Sequence, residues 1–190
     1  MASESTVVYD ADWHLEGPVF LEINKLEQRI WIKEPETVFS KSDCSNGIVV
    51  SGGKIVELIA AGKKPITSVD DIFDASGLVL LPGLVNTHHH FYQTLTRSYS
   101  SALNKPLFPW LKSLYPVWAG LTPDDIYISS KLAIAELLLS GCTTSADHHY
   151  LFPHGLEGAL DQQILAAKEL GLRVTITRGS MSLGETQGGL

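Results

Sequence analysis

After His90 the chain alternates strand-like apolar runs with helix-length segments, and this alternation limits its fold more than any other feature. Parallel strands cannot be joined by a tight turn. They need a crossover of a dozen or more residues, usually a helix. The stretch "LTPDDIYISSKLAIAELLLSG" predicts a long helix, with Thr122 as N-cap, Pro123 at the first helical position, Asp124 and Asp125 at the positive end of the dipole, and Gly141 as the stop. "CTTSADHH" then reads as a strand, "LDQQILAAKELG" as a second helix closed by Gly171, and "LRVTITRG" as a further strand. With "LVLLPGLVNTHHH" taken as the first, three parallel strands are expected. Between that first strand and the long helix, "KPLFPWLKSLYPVWAG" carries Pro106, Pro109 and Pro116, so a single regular helix is not expected there. Its aromatics would either pack against the exterior of the sheet or form a lid over a pocket.

Upstream, from Arg29 to about Leu81, the pattern is one of short strands: "RIWIK", "GIVVS", "KIVELI", "DIFDA" and "LVLL", separated by Gly, Ser, Asp and Pro. In "VVSGGKIV", Gly52 and Gly53 can take the positive φ values of a two-residue hairpin turn. A small, mainly antiparallel β domain is expected. Residues 1–28 carry weaker signals, with "PVFLEI" as a possible extra strand.

Three histidines close the first strand of the alternating part. Side chains alternate across a strand, so His88 and His90 share a face with Asn86 while His89 points the other way. Imidazoles at i and i+2 on a strand end can converge on one metal ion and leave positions for ligands from other strands. The plainer alternative is a pair of hydrogen-bonded polar residues at a strand end. Asp147, His148 and Arg178 end the next two strands and would face the same mouth. Hydrogen-bonded support is the expected role of Asp147 and His148, and Arg178 would either contact substrate or sit in a buried ion pair. Gln93, just beyond the histidine pair, offers an amide that can donate and accept. It would read a ring edge or lie as an exposed loop residue. His14, His149 and His154 have no convergent partner and are expected to be solvated or structural.

Composition removes several function classes. A hydrophobic fraction of 44% over 190 residues suits a folded core, and a net charge of -7 argues against a nucleic-acid polymer as partner. Cys44 and Cys142 form no CxxC pair, so neither a disulfide framework nor a cysteine-rich metal knuckle is indicated. The N-terminus lacks the basic and apolar regions of a secretory signal, and the apolar runs are too short to span a bilayer. A cytoplasmic protein without a membrane span is expected.

Pro82, Gly83, Val85, Asn86, His88 and His90 stand in the places of the pattern PG-x-V-(N/D)-x-H-x-H, and the chain thereby resembles the metal-dependent amidohydrolases. "DASGLVLLPG", the Gly-x-Thr-Thr of Gly141, Thr143 and Thr144, and "ELGLRV" extend the resemblance over most of the chain from Arg29 onward. "NTHHHFYQTLTR", "ELLLSGCTTSADH" and "RGSMSLGE" look like the branch containing 8-oxoguanine deaminase and hydroxylated-triazine aminohydrolases.

The resemblance implies an α/β protein, an incomplete (β/α)8 TIM-type barrel of three strands over residues 78–190. A β-sandwich-like flanking domain over residues 1–77 would precede it. It also implies one divalent metal, usually zinc, held in part by His88 and His90; Gln93 and Arg178 stay the candidate substrate contacts by position alone. The reaction would be deamination of a nucleobase-like ring, with an oxidised purine such as 8-oxoguanine as substrate.

A barrel of this type takes about 250 residues, and the stretch from Leu78 to Leu190 is less than half of that. The family's remaining ligands and its proton-shuttling glutamate come from later strands. The chain is therefore expected to be an N-terminal portion that is inactive alone. The alternative is a non-catalytic remnant that binds metal weakly or associates with a full-length homologue. A homo-oligomer is open in either case.

Overall fold

The computed structural model describes residues 6–10 and 28–189, arranged as two compact units. "PVFLEI" and His14 lie outside the described residues.

The first unit runs to Leu84 and includes Leu139–Thr143. It contains β1 (Thr6–Asp10), β2 (Ile30–Lys33), β3 (Thr37–Val38), β4 (Gly47–Ser51), β5 (Lys54–Leu58), β6 (Asp71–Asp74) and β7 (Leu78–Pro82). These form two sheets, in the orders β1-β7-β3 and β5-β4-β2-β6. The hairpin turn forms as the glycine pair predicts: Gly52 and Gly53 have φ of 58° and 70°, and Ser51 pairs with Lys54. Ile32 and Ile48 from one sheet meet Leu80 from the other in a shared buried cluster with Cys44 and Ala75. The β1–β7, β2–β4 and β4–β5 pairs are antiparallel, whereas β3–β7 and β2–β6 are parallel. Long intervening segments permit those two parallel pairings.

The second unit takes Val85–Leu138 and Thr144–Leu190. Strands β8 (Leu84–His89), β9 (Cys142–His149) and β10 (Arg173–Arg178) lie in the order β10-β9-β8. β9 and β10 are parallel, from Thr144 opposite Arg173 to His149 opposite Arg178. Helix α2 (Pro123–Leu139) connects into β9, and α3 (Ala159–Leu170) connects β9 to β10. At the start of α2 the Thr122 hydroxyl accepts from the Asp125 amide at 3.3 Å and the Asp125 carboxylate accepts from the Thr122 amide at 2.8 Å. This is a reciprocal capping box with Asp in the place of Glu. Gly141 and Gly171 follow α2 and α3 with φ of 83° and 78°, the left-handed conformation that ends helices.

Two expectations fail. Residues 78–90 are not one strand, because β7 ends at Pro82 in the first unit's sheet and β8 begins at Leu84 in another. Gly83 sits at the break. A Cβ there would stand 2.1 Å from Thr143 Oγ1, so only glycine admits the close approach.

The proline-rich stretch, in turn, does form a helix, α1 (Leu107–Trp118). Pro106 is the N-cap and Pro109 lies in the first turn, where amides have no helical acceptor to lose. Pro116 lies within the last turn and gives up one internal hydrogen bond. Burial of Leu114 and Trp118 in a cluster with Tyr92, Ile126, Leu151 and Leu156 offsets that loss.

The three strands of this sheet differ in burial. β9 is buried along most of its length, whereas β8 and β10 are edges, and Leu84 and Val85 of β8 are more than half exposed. Among the described residues no helix is long and apolar enough to cross a membrane.

Candidate metal centre

The site is built on the end of β8. The His88 amide donates to Asn86 Oδ1 at 2.9 Å, which ties the even-numbered face together. The His88 and His90 ring centroids lie 5.0 Å apart at 83°. His89 turns the other way, toward Phe91, with ring centroids 5.0 Å apart. The strand period thus sorts the three histidines as the spacing implies.

His90 is fixed further. Its Nδ1 donates to the carbonyl oxygen of His148 at 2.7 Å. A carbonyl can only accept, so the proton is on Nδ1 and the lone pair is on Nε2. Burial lowers the His90 pKa, against the opposing pull of that hydrogen bond, which favours the neutral imidazole a metal requires.

β9 supplies the surroundings. The His148 ring stacks on His88, with centroids 4.7 Å apart and planes 28° apart, and lies 5.9 Å from His90. Asp147 does not share that face, contrary to the expectation that both would face the mouth. Adjacent strand residues point to opposite sides. Asp147 is fully buried, its Oδ1 accepting from the Phe91 amide at 2.6 Å and its Oδ2 from Gln163 Nε2 at 2.7 Å. Burial pushes its carboxyl pKa up to about 6, although both donors pull it down. His149 is buried against Tyr92 and Phe152, and its Nε2 donates to the Leu151 carbonyl at 2.7 Å, a structural role as expected. His154 is exposed.

Gln93 is half-buried rather than exposed. Its Nε2 donates to the Tyr92 hydroxyl at 3.2 Å. Arg178 is exposed and makes no ion pair among the described residues; its guanidinium lies 4.4 Å over the Phe152 ring. With Tyr150, Phe152 and Met181 it lines a cavity of about 210 Å³. Tyr92 and Tyr150, whose rings lie 6.1 and 5.8 Å from His90, were not evident as site residues from sequence. No strand period marks them, because both lie past the strand ends, Tyr92 in a short 3-10 helix over Phe91–Thr96 and Tyr150 beyond β9.

Among the described residues no group of three or more His, Cys, Asp or Glu side chains is set to hold a metal ion. The donor chemistry of the pair fits two positions of a site, because His90 presents a neutral Nε2 with its other nitrogen engaged and His88 is exposed beside it.

Residues 79–189 match the amidohydrolase family. The chain belongs to that family. Over 164 residues it is 60% identical to 8-oxoguanine deaminase of Pseudomonas aeruginosa, a span of 85% of this chain and 36% of the relative. Over 121 residues it is 38% identical to hydroxydechloroatrazine ethylaminohydrolase of Pseudomonas sp. strain ADP, covering 62% of this chain and 25% of the relative. Among solved structures it resembles the atrazine chlorohydrolase of Arthrobacter aurescens TC1 complexed with zinc, with a TM-score of 0.72 and 30% identity over 85% of this chain and 38% of that one. The chain spans about a third of the length of the curated relatives it matches. In this family the two histidines at the end of β8 fall within the matched residues.

Proposed function

We propose that the chain is part of a metal-dependent hydrolase that deaminates a nucleobase-like ring, with an oxidised purine such as 8-oxoguanine as substrate. The single observation that carries this reading is the same-face His88–His90 pair with the His90 Nδ1 proton committed to His148, within a region 60% identical to 8-oxoguanine deaminase. His88 and His90 would hold one divalent metal, zinc, through imidazole nitrogens. A zinc ion held there would activate water at neutral pH for attack on an amidine-like ring carbon from which ammonia leaves. Gln93 would hydrogen-bond the ring edge, its amide oriented by Tyr92. Arg178 would meet the substrate from the cavity it shares with Tyr150.

In the same reading β8, β9 and β10 are the first three strands of a (β/α)8 barrel over residues 78–190, and residues 1–77 form a flanking β domain. The open edges of β8 and β10 and the exposure of Val85 favour this, since further strands would cover them. The same edges support a second reading, a remnant that associates with a longer homologue or with its own copies. The protein would act in the cytoplasm on a small molecule, without nucleic acid or membrane.

Ammonia release from 8-oxoguanine, guanine, cytosine and hydroxylated triazines tests the substrate, using a polypeptide that carries this chain at the length of its relatives. Turnover of 8-oxoguanine is expected, and turnover of the non-purines alone would reject the purine reading. The 190-residue chain alone should release no ammonia above a metal-free background, because its described residues include no third ligand converging on the histidine pair. Chelator-sensitive turnover by that chain would instead favour assembly of the site from more than one copy.

A further inference from the structure

We infer that Asp147 is a positioning residue for the metal-binding pair: its carboxylate, anchored by Gln163 of α3, holds the backbone at Phe91 and thereby sets the His90 ring. This rests on the reading of His88 and His90 as metal ligands.

Two successive residues of β9 hold the end of β8, one through its backbone and one through its side chain. The His148 carbonyl takes the His90 ring proton at 2.7 Å. Asp147 Oδ1 takes the amide of the next residue, Phe91, at 2.6 Å. The first contact fixes the ring and the second fixes the main chain that carries it, at the point where β8 gives way to a short 3-10 helix over Phe91–Thr96. Asp147 is in turn held by α3. Its Oδ2 accepts from Gln163 Nε2 at 2.7 Å, and Gln163 is itself fully buried.

Burying a carboxylate is costly unless its lone pairs are used. Here it accepts from two donors, the Phe91 amide and the Gln163 amide nitrogen. Gln163 Oε1 is buried without a partner. An asparagine at position 147 could therefore keep the arrangement, its oxygen accepting from Phe91 and its nitrogen donating to Gln163 after an amide flip. Alanine could not. Outer groups of this kind typically change metal affinity about 10- to 100-fold when removed.

The experiment compares wild type, Asp147→Ala, Asp147→Asn and Gln163→Ala of this chain with two readouts. NMR of the metal-free proteins follows amide exchange at Phe91 and the His90 Nδ1 proton, and titration with zinc alone measures affinity. In Asp147→Ala, Phe91 exchange should accelerate at least about tenfold, the single Nδ1–H form of His90 should be lost, and zinc should bind at least about tenfold more weakly. Asp147→Asn should restore all three to within about threefold, which a role of the negative charge itself would not allow. If Asp147→Ala does not fold, Gln163→Ala decides, because it leaves the carboxylate but removes its anchor; faster Phe91 exchange and a mixed His90 tautomer are expected. A His90 ring unchanged in a folded Asp147→Ala or in Gln163→Ala overturns the inference. If the His90 changes occur but wild type takes up no zinc, the positioning role stands and the metal reading falls.

Discussion

Strands β8 and β9 lie side by side in one sheet and are built on opposite terms. β9 is buried at Cys142, Thr143, Ser145, Asp147 and His149, and its only half-exposed positions are those that face the histidine pair or its side of the sheet. β8 buries no residue fully, and Leu84 and Val85 are more than half exposed. Yet β8 carries the candidate ligands, and β9 carries the groups that orient them. The difference separates two tasks: an edge strand can present donors to a ligand, while a central strand can hold them because it is paired along both edges and buried on one face.

If this division is right, the largest effect belongs to the buried carboxylate on β9. The folded-state pKa of Asp147 is raised to about 6 from 3.8, so the native state binds the proton more tightly than the unfolded chain. That destabilisation is present above pH 6 and is relieved as pH falls toward 4. Denaturant unfolding of wild type and Asp147→Asn at pH 7 and pH 4 should show wild type gaining about 2 kcal/mol relative to the variant on acidification. The histidines common to both proteins cancel in that difference. A pH-independent difference would mean that the Asp147 environment is not as dry as described.

Next in size is the seam where β8 begins. Gly83→Ala places a Cβ within 2.1 Å of Thr143 Oγ1 and 2.8 Å of Thr143 Cβ. Thermal or chemical unfolding should register a loss of about 2 kcal/mol, and a companion Thr143→Ser should not recover it because the Cβ clash persists.

The smallest effect is expected on β8 itself. His88 is exposed and its ring makes no hydrogen bond among the described residues, so His88→Ala should leave unfolding stability within about 0.5 kcal/mol of wild type. A loss of more than 2 kcal/mol would erase the contrast between the two strands, since His88 would then be a structural residue.

Much of this contrast is legible in the sequence alone. The strand period separates His88 and His90 from His89, and the caps of α2 and α3 follow from Thr122, Asp125, Gly141 and Gly171. What was not legible depended on contacts between distant residues. Nothing local marks Gly83 as the end of one sheet and the start of another; that follows from Thr143, far away in sequence. The proline rule misled at α1 because it weighs interior prolines alike, whereas Pro109 falls in the first turn and Leu114 and Trp118 bring burial that sequence does not price. Asp147 and His148 were grouped as neighbours at a strand end, but adjacency on a strand means opposite faces, and only Gln163 and Phe91 reveal which face Asp147 takes.

Zinc titration of this chain, monitored calorimetrically, tests the central claim most directly. Wild type should bind about one equivalent weakly, because two imidazoles alone make an incomplete site. His88→Ala/His90→Ala should abolish that binding, and His89→Ala, whose ring faces Phe91, should leave it within about twofold of wild type. Undiminished zinc binding by the double variant, or its loss in His89→Ala, would contradict the assignment of the ligands to one face of β8.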